Sequence, residues 1–244
     1  MITEISKQRL LRRLHMVATP KPASTVVLLD DLSRVYLTQR PKTMKFMGGF
    51  HVFPGGSIEK HDSFINKQHV NIHVPSPVSL EHYIGAAREL FEEVGILLGD
   101  KIDGSMIHLL DEKAIHYRQQ LITDKMTFND LLEQENIRLD LQTLTYIGQL
   151  ITPERSPIRF DTRFFVAHLP SGQLPIPDKK EIDEAFWITP EKALTAFENN
   201  EIMLAFPTIL TLKTIINYQN GSAPNLSFTK ADIMKLQLEL KTPF

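Results

Sequence analysis

A tight turn followed by an acid-rich helix constrains this chain more than any other feature. The turn is Phe53-Pro54-Gly55-Gly56, and the helix closes with Arg88-Glu89-Leu90-Phe91-Glu92-Glu93-Val94-Gly95-Ile96. The spacing predicts an amphipathic helix from about Leu80 to Leu97, with Gly95 near its C-terminal end. Ile84, Ala87, Leu90, Phe91, Val94 and Leu97 form its apolar face, which would anchor it in a core. Glu89, Glu92 and Glu93 stand at i, i+3 and i+4, so their carboxylates leave from one face. Arg88 lies beside them, four residues before Glu92. Three acids this close repel one another unless a cation holds them together. A hard divalent ion such as Mg²⁺ does so, because it takes oxygen ligands in octahedral array. Either half alone is ordinary, since acids on a helix usually make a solvated face and Gly-Gly after Phe-Pro a tight turn.

Together the two halves resemble the signature of the Nudix hydrolases: a glycine, five residues, an acid, seven residues, then Arg-Glu-apolar-x-Glu-Glu-x-Gly-apolar. The resemblance is full over Arg88 to Ile96 and good over Phe53 to Gly56. Five residues on from Gly56 stands Asp62, an acid where the family has glutamate. From there residues 63 to 87 separate it from Arg88, where the pattern has seven, so the box carries an insertion at about 63–80. Asn66, Asn71, Pro75, Ser76 and Pro77 make that insertion read as loop. Counting back from Arg88 puts Leu80 at the acid position, with Glu81 beside it. Asp62 and Glu81 are both candidates for the first acid.

Further along, the chain reads as alternating strands and helices. Ala23 to Asp30 is a β-rich apolar run and Val35 to Arg40 a returning strand. A strand ending in Thr38-Gln39-Arg40, then about a dozen residues, then Phe-Pro-Gly-Gly, is similar to the sub-group that includes coenzyme A diphosphatases of the peroxisomal type. Gly48 stands where that sub-group usually has proline. Residues 107 to 137 read as a helical insertion, with Thr127 and Asp130 capping a helix before Leu131-Leu132. Leu109, Leu110, Ile115 and Leu121 supply its apolar positions, and packing is its expected role, ahead of a lid or dimer contact. Leu144 to Ile151 and Arg159 to His168 are strands, the second carrying Arg159, Asp161 and Arg163 on one face. Glu181 to Ile188 resembles the acidic approach to the last core strand of Nudix folds; helices open at Thr189-Pro190 and Phe206-Pro207. Residues 3 to 15 form a short basic helix and residues 230 to 240 a terminal element of open type.

Bulk properties narrow the partners. A net charge of −2 argues against nucleic acid held by bulk electrostatics, while leaving room for a local phosphate pocket. With no cysteine there is no thiolate nucleophile, disulfide framework or zinc–thiolate site. No stretch approaches the roughly 20 apolar residues of a membrane span, and a cytoplasmic location is the expectation.

The resemblance implies an α+β chain, one Nudix domain over residues 1–244, with a mixed β-sheet sandwiched between helices. It implies an enzyme using Mg²⁺ or Mn²⁺ to hydrolyse the diphosphate bond of a nucleoside diphosphate linked to another moiety, with coenzyme A or a derivative as best guess. The Gly55 carbonyl with Glu89, Glu92 and Glu93 would ligate the metal, Glu92 or Glu93 would take a proton from water, and Arg88 would orient the carboxylates. Arg40, Arg159 and Arg163 are candidates for substrate phosphates, and Glu181 for a further acid. Several family members dimerise, so a homodimer belongs to the expectation. The competing readings are NDP-sugars, NADH, dinucleoside polyphosphates or RNA caps as substrate, or a non-catalytic nucleotide-binding regulatory module.

Overall fold

The computed structural model of the protein describes residues 17–45, 47–71, 77–105, 107, 111–226 and 228. In chain order its strands are β1 (Lys21–Leu29), β2 (Val35–Gln39), β3 (His51–Val52), β4 (Gly55–Ser57), β5 (Val70–Asn71), β6 (Gly99–Lys101), β7 (Ile137–Asp140), β8 (Thr145–Ile151), β9 (Phe160–His168) and β10 (Glu184–Ile188). The helices are α1 (Leu80–Val94), α2 (Asp111–Ile122), α3 (Phe128–Gln134), α4 (Pro190–Glu198) and α5 (Phe206–Gln219). Expectations placed on residues 3–15 and 230–240, and on Pro75, Ser76, Leu109 and Leu110, lie outside the described residues.

The β-branched, apolar run of β1 is buried on both faces and forms the middle of the main sheet, ordered β10-β2-β1-β9-β8. β1 runs parallel to β9 and antiparallel to β2 and β4, so the sheet is mixed. Alternation along β1 sends successive side chains to opposite layers. Val26 and Leu28 join the core beneath α1, α2 and α3, while Val27 and Leu29 join the core beneath α4 and α5. The result is an α+β sandwich, sheet between helices.

The helix α1 carries its expected apolar face. Ile84, Ala87, Leu90, Phe91 and Val94 are all essentially inaccessible. It ends at Val94, earlier than the periodicity indicates, because Gly95 turns left-handed (φ 75°) and its N–H bonds the Phe91 carbonyl. Leu97, placed on the helix by its period, lies beyond that turn yet still points into the same core.

The larger departure concerns the two insertions, which fold together. The segment read as loop follows a 3-10 turn, Lys60–Ser63, and holds another, Lys67–His69, and the strand β5 that includes Asn71. β5 pairs parallel with β7, which pairs antiparallel with β6, giving a small second sheet. Two- to four-residue strands carry no readable period, and their partners lie far apart in sequence, so local patterning could not disclose them. The helical insertion is present as α2 and α3, and α3 starts with the expected box: Thr127 and Asp130 cap each other's backbone N–H.

Phe91 is fully buried and stacks obliquely against Phe128 of α3, ring centroids 6.5 Å apart, joining the acid-bearing helix to the insertion. Phe91→Ala should cost about 3–5 kcal/mol of stability. Urea unfolding checks this, and a loss under about 1 kcal/mol would show that the two are packed independently.

Candidate active site

The sequence gives Arg88 five N–H donors in a fixed fork, and the fold surrounds them with acceptors. Nε and Nη2 grip the Asp62 carboxylate at 2.9 and 3.1 Å, and Nη1 donates to Glu89 at 3.1 Å and Glu92 at 2.9 Å. Nη2 also donates to the Ser57 carbonyl at 2.8 Å. Arg88 is thereby fixed between the glycine loop, the box insertion and its own helix. Asp62 is the acid brought to this cluster; it is 2% exposed and also accepts from the Glu59 N–H. Glu81 instead bonds Ser63 and Ser79 near the surface. The count from Gly56, not the count from Arg88, locates the first acid.

Phe53 to Gly56 brings β4 against the same helix. The Gly55 N–H donates to Glu93 at 3.1 Å. Backbone sterics demand glycine at Gly55, while at Gly56 a side chain would displace the Glu89 carboxylate. A Cβ on Gly55, whose φ is 153°, would meet the Ser24 carbonyl at 2.3 Å, and one on Gly56 would meet the Glu89 carboxylate at 2.5 Å. The backbone therefore lies directly on Glu89 and Glu93.

Charge is out of balance here. Burial pushes the Glu89 carboxyl up to about 7 and the Glu92 carboxyl up to about 8, against the pull of Arg88. Burial raises Glu93 well above its ordinary value, with Glu89 and Glu181 adding to the rise. Glu181 is raised as well, by burial and then by Asp178. Carboxylates thus outnumber the cations among them, and one more positive charge would relieve the strain. Among the described residues no group of three acids or histidines is already set to hold a metal ion: Arg88 engages Glu89 and Glu92, and the Gly55 amide engages Glu93. The donor set is nevertheless all carboxylate oxygen, the chemistry that Mg²⁺ and Mn²⁺ prefer. Together with its surplus of negative charge, that makes the cluster a fit for a divalent ion.

Beside the glycine loop opens a cavity of about 280 Å³. Phe53, Phe160 and Phe164 line it, with Thr25, Thr162 and Arg40 among its polar members. Arg40 is felt electrostatically by Glu93 and Glu181, so it stands where cavity and carboxylates meet, and its buried Nε has no hydrogen-bond partner. Arg159 and Arg163 are turned elsewhere. Arg159 donates to the carbonyls of Thr152 and Ala18, and Arg163 ion-pairs with Asp161. Alternation explains this, since residues 160, 162 and 164 of β9 face the cavity and their odd-numbered neighbours do not. One residue in the cluster's support escaped the sequence reading: Arg118 of α2, which bonds the carbonyls of Glu92 and Glu93.

A family profile described as the NUDT19 Nudix domain matches residues 63–215. The chain belongs to the Nudix family. Among solved structures, this Nudix chain is similar to a NUDIX hydrolase from Alicyclobacillus acidocaldarius, with 28% identity and a TM-score of 0.73 over 85% of this chain and 94% of that one. Among curated relatives it is similar to the acyl-coenzyme A diphosphatases NUDT19 of Xenopus laevis and Gallus gallus, 23% and 25% identical over 75% of this chain. It spans about three fifths of the length of these relatives. Among the described residues no helix is long and apolar enough to cross a membrane.

Two outcomes follow from this geometry. Asp62→Ala leaves the buried Arg88 Nε without its acceptor and should cost about 1–3 kcal/mol, whereas Glu81→Ala should stay within about 0.5 kcal/mol, both read from urea midpoints. In the metal-free protein, Glu89 and Glu92 bind their protons more tightly folded than unfolded. Their contribution is therefore complete below the unfolded value near 4.5 and lost as pH rises through about 7 to 8. Between about pH 5 and pH 8.5, wild-type melting temperature should fall relative to Glu92→Gln. Added Mn²⁺ should raise the wild type more at the upper pH than at the lower. A gap that does not change with pH would contradict the assignment.

Proposed function

We propose that this Nudix chain hydrolyses the diphosphate bond of a nucleoside diphosphate linked to a second moiety, in a reaction dependent on Mg²⁺ or Mn²⁺. The observation that carries the reading is the surplus of buried carboxylate packed under a glycine loop and opening, past Arg40, into a cavity with no acidic side chain among its lining residues. An apolar, hydroxyl-bearing cavity suits the uncharged body of a substrate, and an arginine at its inner edge suits the phosphates.

The divalent ion supplies Lewis-acid neutralisation of the diphosphate and a more acidic water. Glu89, Glu92 and Glu93, with the Gly55 carbonyl, are the residues that would hold it. Arg88 keeps Glu89 and Glu92 in register through its fork and is itself fixed by Asp62 and Ser57. Arg40, which lines the cavity, would orient the diphosphate with its guanidinium. Glu92 or Glu93 takes the proton from the attacking water. Water attacks phosphorus and the diphosphate bridge breaks, so the products are two phosphorylated halves. The finer substrate, coenzyme A or an acyl derivative, is supported by the names of the NUDT19 relatives and by the family profile that matches.

A diphosphate panel comprising coenzyme A, an acyl-coenzyme A, NADH, ADP-ribose, NDP-sugars and capped RNA tests the reading, assayed with Mg²⁺ or Mn²⁺ by chromatography of both products. Turnover should appear on a coenzyme A-type member and fall by about 10²–10⁴ in Glu93→Gln while substrate binding persists. Binding without turnover in the wild type would point instead to a nucleotide-binding module.

A further inference from the structure

The C-terminal turn of α1, which bears Glu92 and Glu93, has every one of its last four carbonyls occupied. The Phe91 carbonyl accepts from the Gly95 N–H. The Val94 carbonyl accepts from the Ile176 N–H at 2.8 Å and the Glu93 carbonyl from the Asp178 N–H at 2.8 Å. Arg118 supplies the rest: Nε donates to the Glu92 carbonyl at 2.8 Å, Nη2 to the Glu93 carbonyl at 2.8 Å and Nη1 to the Ile176 carbonyl at 2.7 Å. One planar group thus joins the acid-bearing turn to the segment 176–178, from which Glu181 follows by the turn that bonds Glu181 N–H to the Asp178 carbonyl.

Arg118 is 4% exposed, and among the described residues no salt bridge joins it to a carboxylate. A buried cation whose bonds all go to carbonyls is costly unless its charge is used. The charge is felt by Asp178, Glu181, Glu93 and Glu92, the groups with too little positive charge among them. It also lies at the negative end of the α1 dipole. An ordinary helix cap such as glycine would satisfy the carbonyls without bringing a charge or tying in a second segment.

We infer that Arg118, supplied by the helical insertion α2, is a positioning residue that sets Glu92, Glu93 and Glu181 relative to one another for the reaction. The inference rests on the proposed reading of the carboxylate site. It gives the insertion a task beyond packing: α2 carries a guanidinium to the back of the catalytic helix, and α3 holds α2 in place by shared core contacts at Leu121, Phe128 and Leu131. Lysine cannot substitute, because a point ammonium cannot span three carbonyls in one plane.

Four proteins test this: wild type, Arg118→Lys, Arg118→Ala and a control, Lys113→Met. The control loosens the same helix by removing the Lys113–Glu135 bridge, 2.6 Å in length, and leaves α1 untouched. The readouts are kcat and KM on the best substrate of the panel, Mn²⁺ affinity by electron paramagnetic resonance, and melting temperature. Arg118→Ala should lose about 10–100-fold in kcat and in Mn²⁺ affinity with KM within about threefold. Arg118→Lys should recover less than half of the loss on a logarithmic scale. Methylguanidinium added to Arg118→Ala should restore kcat several-fold and should leave the control unchanged. If Arg118→Ala matches Lys113→Met in kcat, Mn²⁺ affinity and lack of rescue, the role of Arg118 is overturned while the reading of the site stands. If the wild type neither binds Mn²⁺ nor turns over any panel member, the reading of the site falls and takes this role with it.

Discussion

Buried negative charge in excess of buried positive charge is the constraint on which this structure turns. A carboxylate removed from water must be paired, protonated or bound to a cation. Arg88 meets part of the demand by serving Asp62, Glu89 and Glu92 at once. Among the described residues Glu93 receives the Gly55 N–H and feels the charge of Arg40, and Glu181 adds negative charge from the opposite segment. The two glycines are part of the same arrangement: Gly55 packs against the backbone of β1 while its N–H meets Glu93, and a side chain at Gly56 would push Glu89 aside. Such a cluster destabilises the chain unless a cation joins it, which is how function can oppose stability at a site.

The insertions build outward from that cluster. Asp62, at the start of one, anchors Arg88; Arg118, within the other, anchors the far end of the helix. The small sheet of β5, β7 and β6 joins the two segments, and Phe91 against Phe128 ties the second to the main core. The acid-bearing helix is held in its middle by the first acid of the signature and at its C-terminal end by Arg118, a group the signature does not contain. Rigid support of this kind fixes carboxylates to the tolerance that metal chemistry needs.

Long periodic elements were legible in the sequence, and short non-local ones were not. The apolar stripe of α1, the β-branched run of β1 and the Thr127–Asp130 box each announce their structure locally. β5 and β6 do not, since two or three residues gain strand character only from a partner elsewhere in the chain. Glu89, Glu92 and Glu93 were legible by spacing, and the first acid became unique only when Asp62 reached Arg88 in space. Arg118 left a trace that periodicity could have used. It falls on the buried stripe of α2 with Tyr117 and Leu121, where an arginine is out of place unless it has carbonyls to meet. Arg163 of β9 and Arg159 just before that strand turn their charge to other partners than the cavity.

The central claim, that the surplus of carboxylate is a divalent-ion site, is tested most directly by calorimetric titration of the metal-free protein with Mn²⁺ in buffers of different ionisation enthalpy. Near neutral pH the account predicts binding accompanied by proton release, as the ion displaces protons held by Glu89, Glu92 and Glu93, with both signals lost in Glu93→Gln. Mn²⁺ binding that releases no protons, or that survives Glu93→Gln unchanged, would contradict it.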